Sequence, residues 1–179
     1  MISKRVEKAL NEQIAMEATA SNTYLSMASW ADSKGMEGAA DFFYGHAEEE
    51  HVHMMKIVRF VNEVGGHAVI PSVGKPQMNY KSVKDVCEKA YKHECKVSQS
   101  IHKLVNLARE QNDHVTDEFL RWFVDEQREE EVLFMRVMDR IELIGEGGQS
   151  AYYIDKELGK IAAAEAAAEG SADAGGGAE

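Results

Sequence analysis

Cysteine, proline, basic charge and long apolar runs are all scarce in this chain, and each shortage excludes something. Cys87 and Cys95 are the only cysteines in 179 residues. They are too few and too close in sequence for a disulfide framework, so a reduced, cytoplasmic compartment is the expectation. No stretch approaches the roughly 20 consecutive apolar residues of a membrane span, and the opening MISKRVEKAL lacks the apolar run of a signal peptide. Lys and Arg number 20 against 31 Asp and Glu, a net charge of −11. That balance argues against nucleic acid or an anionic membrane as the main partner and leaves room for cations. No stretch needs to be read as a β-strand, so the class is all-α.

What is present is helical periodicity, broken by glycine and cap residues. Ser3 opens a helical pattern running to about Asp32 that stops at Lys34-Gly35; a second runs from about Gly38 to Val64 and stops at Gly65-Gly66. Ser82 to Asp85 reads as a capping box for a third helix reaching about Gln111. Asn112-Asp113 starts a fourth, which ends near Gly145. A short amphipathic segment follows from Gln149 to about Ala163, and residues 164–179 form a low-complexity tail, its last ten residues expected to be disordered. The domain is therefore placed at residues 1–163.

Loop lengths set the topology. The first and second helices are joined by a few residues, as are the third and fourth, so each pair predicts an antiparallel hairpin. Residues 66–81 hold both prolines, Pro71 and Pro76. Extended at about 3.3 Å per residue they reach about 50 Å, just enough to run along a helix about 45 Å long. One such crossover separates ferritin-like four-helix bundles from simple up-and-down ones.

Reading the faces at 100° per residue places a carboxylate in the middle of each apolar stripe. Glu17 shares a face with Val6, Leu10, Tyr24 and Ala28; Glu50 and His53 share one with Phe42, Ile57, Phe60, Val61 and Val64. Glu94 lies among Val83, Cys87, Ala90, Ile101, Val105 and Ala108. Glu126 and Glu130 lie at the centre of a stripe of Phe119, Trp122, Phe123, Leu133, Val137, Ile141 and Ile144. Each carboxylate falls about half-way along its helix, so in a bundle the levels coincide. Taken singly, any one of them is as well explained by a miscounted face or a buried salt bridge. Together, with Lys and Arg absent from the stripes at that level, they point to a multivalent cation, because buried unpaired carboxylates cost several kcal/mol each. Glu48, His51 and Arg128 are read as a solvated face.

Carboxylates with one imidazole and no thiolate suit iron or manganese rather than a structural zinc. A dinuclear arrangement follows: Glu17, Glu50 and His53 around one ion, and Glu94, Glu130 and a shared Glu50 around the other. Di-metal bundles carry Glu-x-x-His twice; here the second copy reads Gln127-x-x-Glu130, which predicts a weaker second site.

Over residues 1–163 these features resemble a non-haem bacterial ferritin. The resemblance rests on Glu17 with Tyr24, the run Glu49-Glu50-x-x-His53, Glu94, and Trp122 followed by Glu126-Gln127-x-Glu129-Glu130. It implies a ferroxidase centre that oxidises Fe²⁺ with O₂ or H₂O₂, with Gln127 among its residues, and iron storage as a ferric mineral inside a homo-oligomeric shell of twenty-four subunits. It also implies a third, peripheral iron site of Glu49, Glu126, Glu129 and Glu130, and Tyr24 hydrogen-bonded beside the dinuclear pair. The fifth helix would pack around four-fold axes, its apolar residues having no partner within one subunit. No haem is expected, because His51 follows Glu50 and position 130 is Glu, unlike haem-containing bacterioferritins. An oxidase of organic substrates and a non-catalytic helical interaction module are the competing readings; mineral accumulation and metal titration, respectively, would separate them.

Overall fold

The computed structural model describes residues 2–175. They form five helices: α1 Lys4–Asp32, α2 Glu37–Glu63, α3 Val83–Glu110, α4 His114–Ile144 and α5 Ser150–Gly175. No strand occurs among the described residues, and none of their helices is long and apolar enough to cross a membrane.

The first four helices begin and end close to where the sequence signals lie. The Ser3 hydroxyl accepts the Val6 N–H, Ser82 accepts the Asp85 N–H, and Asp113 accepts that of Thr116, each satisfying an otherwise orphaned first-turn donor. Asp85 reaches back to the Lys81 N–H. The helix-stopping Gly65 sits at φ +82°, a conformation in which a side chain would be strained.

The crossover between α2 and α3 runs beside α1 and is tied to it near both ends. Asn11 donates to the His67 carbonyl and accepts from the Val69 N–H near one end. Near the other, Ser26 donates to the Gln77 carbonyl and Trp30 packs edge-on against Tyr80 at 5.5 Å. Those side chains give the long connection partners for its backbone.

The bundle interior has two apolar clusters. One holds Val6, Leu10, Ile14, Ile57, Val97, Ile101, Leu104, Leu120 and Phe123. The other holds Tyr24, Met27, Phe42, Phe43, Val86, Ala90, Phe134 and Val137. Between them the same four helices place buried Gln13, Glu17, His46, Glu50, His53, Glu94, Ser98, Gln127 and Glu130.

The structure departs from the sequence reading in two places. On α4 the buried face is Leu120, Phe123, Gln127, Glu130, Phe134, Val137 and Ile141, so Gln127 takes the inward place assigned to Glu126. Phe119 and Trp122 instead cover the seam with α2: Phe119 stacks on Phe60 at 3.8 Å, and Trp122, 36% exposed, packs on His53 at 5.3 Å.

The second departure is α5, which continues as helix to Gly175, past the expected boundary at Ala163. Its apolar residues also find partners within the subunit: Ile154 and Leu158 are buried in the core cluster of Phe42 and Val137. The contact with α2 needs two glycines. A Cβ on Gly38 would collide with the Asp155 carbonyl oxygen and lie 2.9 Å from the Gly159 nitrogen, and one on Gly159 would lie 3.0 Å from the Gly38 Cα. At the same crossing Asp155 accepts the Ala39 N–H, supplying the cap that α2 lacks locally. Of the ten residues expected to be disordered, 176–179 lie outside the described residues.

Candidate metal centre

The run GHAEEEHVHMM is divided by the helix period. Glu48 and His51 face solvent, Glu49 is half-buried, and His46, Glu50 and His53 are buried. Spacings of four and three put these last three side chains in a row on the inward stripe of α2, one turn apart.

Ligand atoms of Glu17, Glu50 and His53 lie within 4.8 Å of one another. His53 Nδ1 is 3.4 Å from Glu50 Oε2. Glu17 is held by Gln13, whose amide donates to Glu17 Oε1 at 2.7 Å and is itself fixed by a hydrogen bond from Ser100. The remaining oxygens, Glu17 Oε2 and Glu50 Oε2, are buried without a hydrogen-bond partner. A second set of ligand atoms equally close together comes from His46, Glu49 and Glu130. Glu94 lies between, its carboxylate accepting from the Tyr24 hydroxyl and, at 3.1 Å, from the Gln127 amide.

Electrostatics follow from burial with His46 as the one strongly cationic neighbour among the described residues of the layer. Among the described residues no Lys or Arg is buried. Desolvation, and then the charge of Glu50, raises the Glu17 pKa well above the carboxylate range. Desolvation and then Glu94 do the same to Glu50. Burial and the Glu130 charge push Glu94 up to about 7, although Tyr24 and Gln127 donate to its ionised form. His46 goes the other way from an ordinary buried histidine: burial would lower it, but the charge of Glu130 3.4 Å away, then those of Glu49 and Glu165, push it to about 10. Reciprocally, burial would raise Glu130, but the imidazolium of His46 holds it below its ordinary value. Without a cation, the cluster keeps protons to reduce its own repulsion.

Of the sequence-predicted residues, Glu17, Glu50 and His53 are brought together, and Tyr24 and Gln127 both bind Glu94. Glu130 turns to His46 at 3.4 Å, so the set Glu50, Glu94 and Glu130 does not close to a common ligand distance. Glu126 is half-buried beside Glu49, and Glu129 is exposed and paired with Arg128 at 2.9 Å. His46 was missed; its position four residues before Glu50 on the Phe42 stripe was the available signal.

Fold and site together define a metal-handling helical bundle with a buried carboxylate layer. The ferritin-like domain model matches residues 7–144. The chain is 44% identical over 162 residues to a bacterial non-heme ferritin of Campylobacter jejuni, spanning 90% of this chain and 97% of that one. It is 42% identical over 161 residues to a probable bacterial non-heme ferritin-like protein of Haemophilus influenzae, spanning 90% and 98%. An open-pore ferritin of the archaeon Archaeoglobus fulgidus superposes with a TM-score of 0.85 at 38% identity, covering 88% of this chain and 96% of that structure. The chain belongs to the ferritin family, and its function is iron storage.

Proposed function

We propose that the protein oxidises Fe²⁺ at a dinuclear centre and deposits the product as a ferric mineral inside a shell of twenty-four copies, in the cytoplasm and without haem. Glu17, Glu50 and His53 take one ferrous ion. Glu50, Glu94 and Glu130 take the second, with a third, peripheral position served by Glu49, Glu126, Glu129 and Glu130. The observation that carries this reading is the convergence of Glu17, Glu50 and His53, with carboxylate oxygens of Glu17 and Glu50 buried without a hydrogen-bond partner at mid-bundle, where no Lys or Arg among the described residues is buried. A pair of divalent cations compensates that charge and the protons leave as metal enters.

The chain's own residues do three things. Gln13 and Gln127 fix the Glu17 and Glu94 carboxylates before binding, whereas Glu130 must turn from His46 to join Glu50 and Glu94. The Tyr24 hydroxyl, fully buried and donating to Glu94, holds that carboxylate's orientation from the far side. The apolar clusters above and below restrict water to the layer itself. Two ferrous ions held together give one electron each, which reduces O₂ to the peroxide level or H₂O₂ to water with two protons taken up. Carboxylate ligands favour the ferric product.

Aerobic addition of Fe²⁺, with near-ultraviolet absorbance and particle size followed together, tests the reading. Rapid oxidation at two Fe²⁺ per subunit, followed by growth of an iron core in a particle of constant outer size, is the expected result. Oxidation no faster than in buffer, or loss of iron as free precipitate, contradicts it.

A further inference from the structure

One imidazole in the buried layer is not used by the dinuclear centre. His46 is only 2% exposed, and its Nδ1 lies 3.0 Å from the Phe42 carbonyl oxygen. A carbonyl oxygen can only accept, so Nδ1 keeps its proton, and Nε2, turned the other way, gives up its own when a cation enters. This is how ligating histidines are oriented, one nitrogen donating to a backbone carbonyl and the other left for the ion. Here Nε2 is buried without a hydrogen-bond partner, as is Glu130 Oε2, which it faces at 3.4 Å. Glu49 completes a group with all three ligand atoms within 4.8 Å of one another.

The clefts outside this group are walled on one side by α5. From the Gly38–Gly159 crossing, α5 runs beside α2 across a cleft of about 610 Å³ that Ala162, Ala163 and Ala166 line from the α5 side. Glu165 then lines the same cleft as Glu48, Glu49 and Glu126, and a neighbouring cleft lined by Glu49, Glu126, Glu129 and Glu130. Helical rise puts it about 9 Å beyond the crossing, on the way to His46 and Glu49, which lie about 12 and 16 Å along α2 from the same point.

We infer that His46, Glu49 and Glu130 form a distinct station for a divalent iron ion in transit, with Glu165 of α5 as the carboxylate that closes it from outside. This rests on the proposed iron-oxidising function but changes the composition of the peripheral site. Its nitrogen ligand is His46, its third carboxylate comes from the C-terminal helix, and Glu129 stays with Arg128. Four ligands from three different helices would then tie the seating of α5 to ion traffic between the buried pair and the surface.

Two experiments on the full-length assembled protein test it. In a Zn²⁺ soak read by anomalous diffraction, an ion bonded to His46 Nε2, Glu49 and Glu130, with Glu165 in the coordination shell, is the expected result. An ion held by Glu49, Glu126, Glu129 and Glu130 without His46 or Glu165 overturns the inference and leaves the peripheral site of the proposed function standing. An ion at Glu17, Glu50 and His53 with none elsewhere nearby overturns both. In anaerobic calorimetry with Fe²⁺, Glu165→Gln should weaken the last-filled class of sites by roughly 10-fold to 100-fold and leave the first class unchanged; parental affinity in all classes overturns the inference.

Discussion

The cluster around Leu10, Ile57, Ile101 and Leu120 and the layer of Glu17, Glu50, Glu94 and Glu130 lie on the same four helices and are buried to nearly the same extent. Their energetics are opposite. In the cluster each buried methylene contributes about 0.8 kcal/mol. In the layer, burial works against ionised groups, and the pKa values of Glu17, Glu50 and Glu94 rise accordingly. Burial alone therefore says nothing about which residues hold this bundle together: one region supplies stability, and the other draws on it to keep ligands in place.

The largest test of that contrast is Leu10→Ala, which empties a fully buried site and should destabilise the metal-free protein by about 3 kcal/mol. Denaturant unfolding measures it, with iron oxidation per folded subunit staying at the parental rate. A cost below about 1 kcal/mol would remove the distinction drawn between the two regions.

A second test, comparable in size, is pH. A carboxyl whose folded pKa is raised contributes stability that is fully present below its unfolded value and is lost as pH rises through the folded value. For Glu94, raised from 4.5 to about 7, the loss falls between about pH 4.5 and 7; Glu17 and Glu50 shift the same way. His46, raised to about 10, adds stability that fades between about pH 6.5 and 10, the same direction. Glu130, whose folded pKa is lowered, loses its contribution only at acid pH, outside this window. Metal-free protein should therefore lose up to about 1.4 kcal/mol per pH unit for each raised group being titrated. Melting curves from pH 5 to 8 read the slope, and saturating divalent cation should flatten it. A metal-free protein that grows more stable over that range contradicts the sign.

Third is Glu94→Gln, which removes one of the mutually repelling charges and keeps a carbonyl for the Tyr24 hydroxyl, while Gln127 can turn its amide over. The metal-free protein should be as stable or more stable, by about 1 kcal/mol, with rapid Fe²⁺ oxidation sharply reduced. A strong loss of stability with oxidation at the parental rate would make Glu94 structural. Smallest is Glu48→Gln on the exposed side of α2, expected to change stability by less than about 0.5 kcal/mol and oxidation not at all. A measurable loss of iron oxidation there would mean that the solvated face takes part.

The amino-acid sequence by itself determined the first four helices, their ends, the single long crossover and the inward direction of Glu17, Glu50, His53, Glu94 and Glu130. All of these follow from local caps and from the 3.6-residue period, which needs no knowledge of a neighbour. Only the tertiary structure decided the phase of α4, where Phe119 and Trp122 are apolar yet serve the α2 seam and Gln127 takes the inward place. The same holds for the pairing of His46 with Glu130 across two helices, and for the seating of α5 through Gly38 and Glu165's arrival beside Glu49. Each depends on which surface another helix presents, and periodicity within one helix carries no information about that.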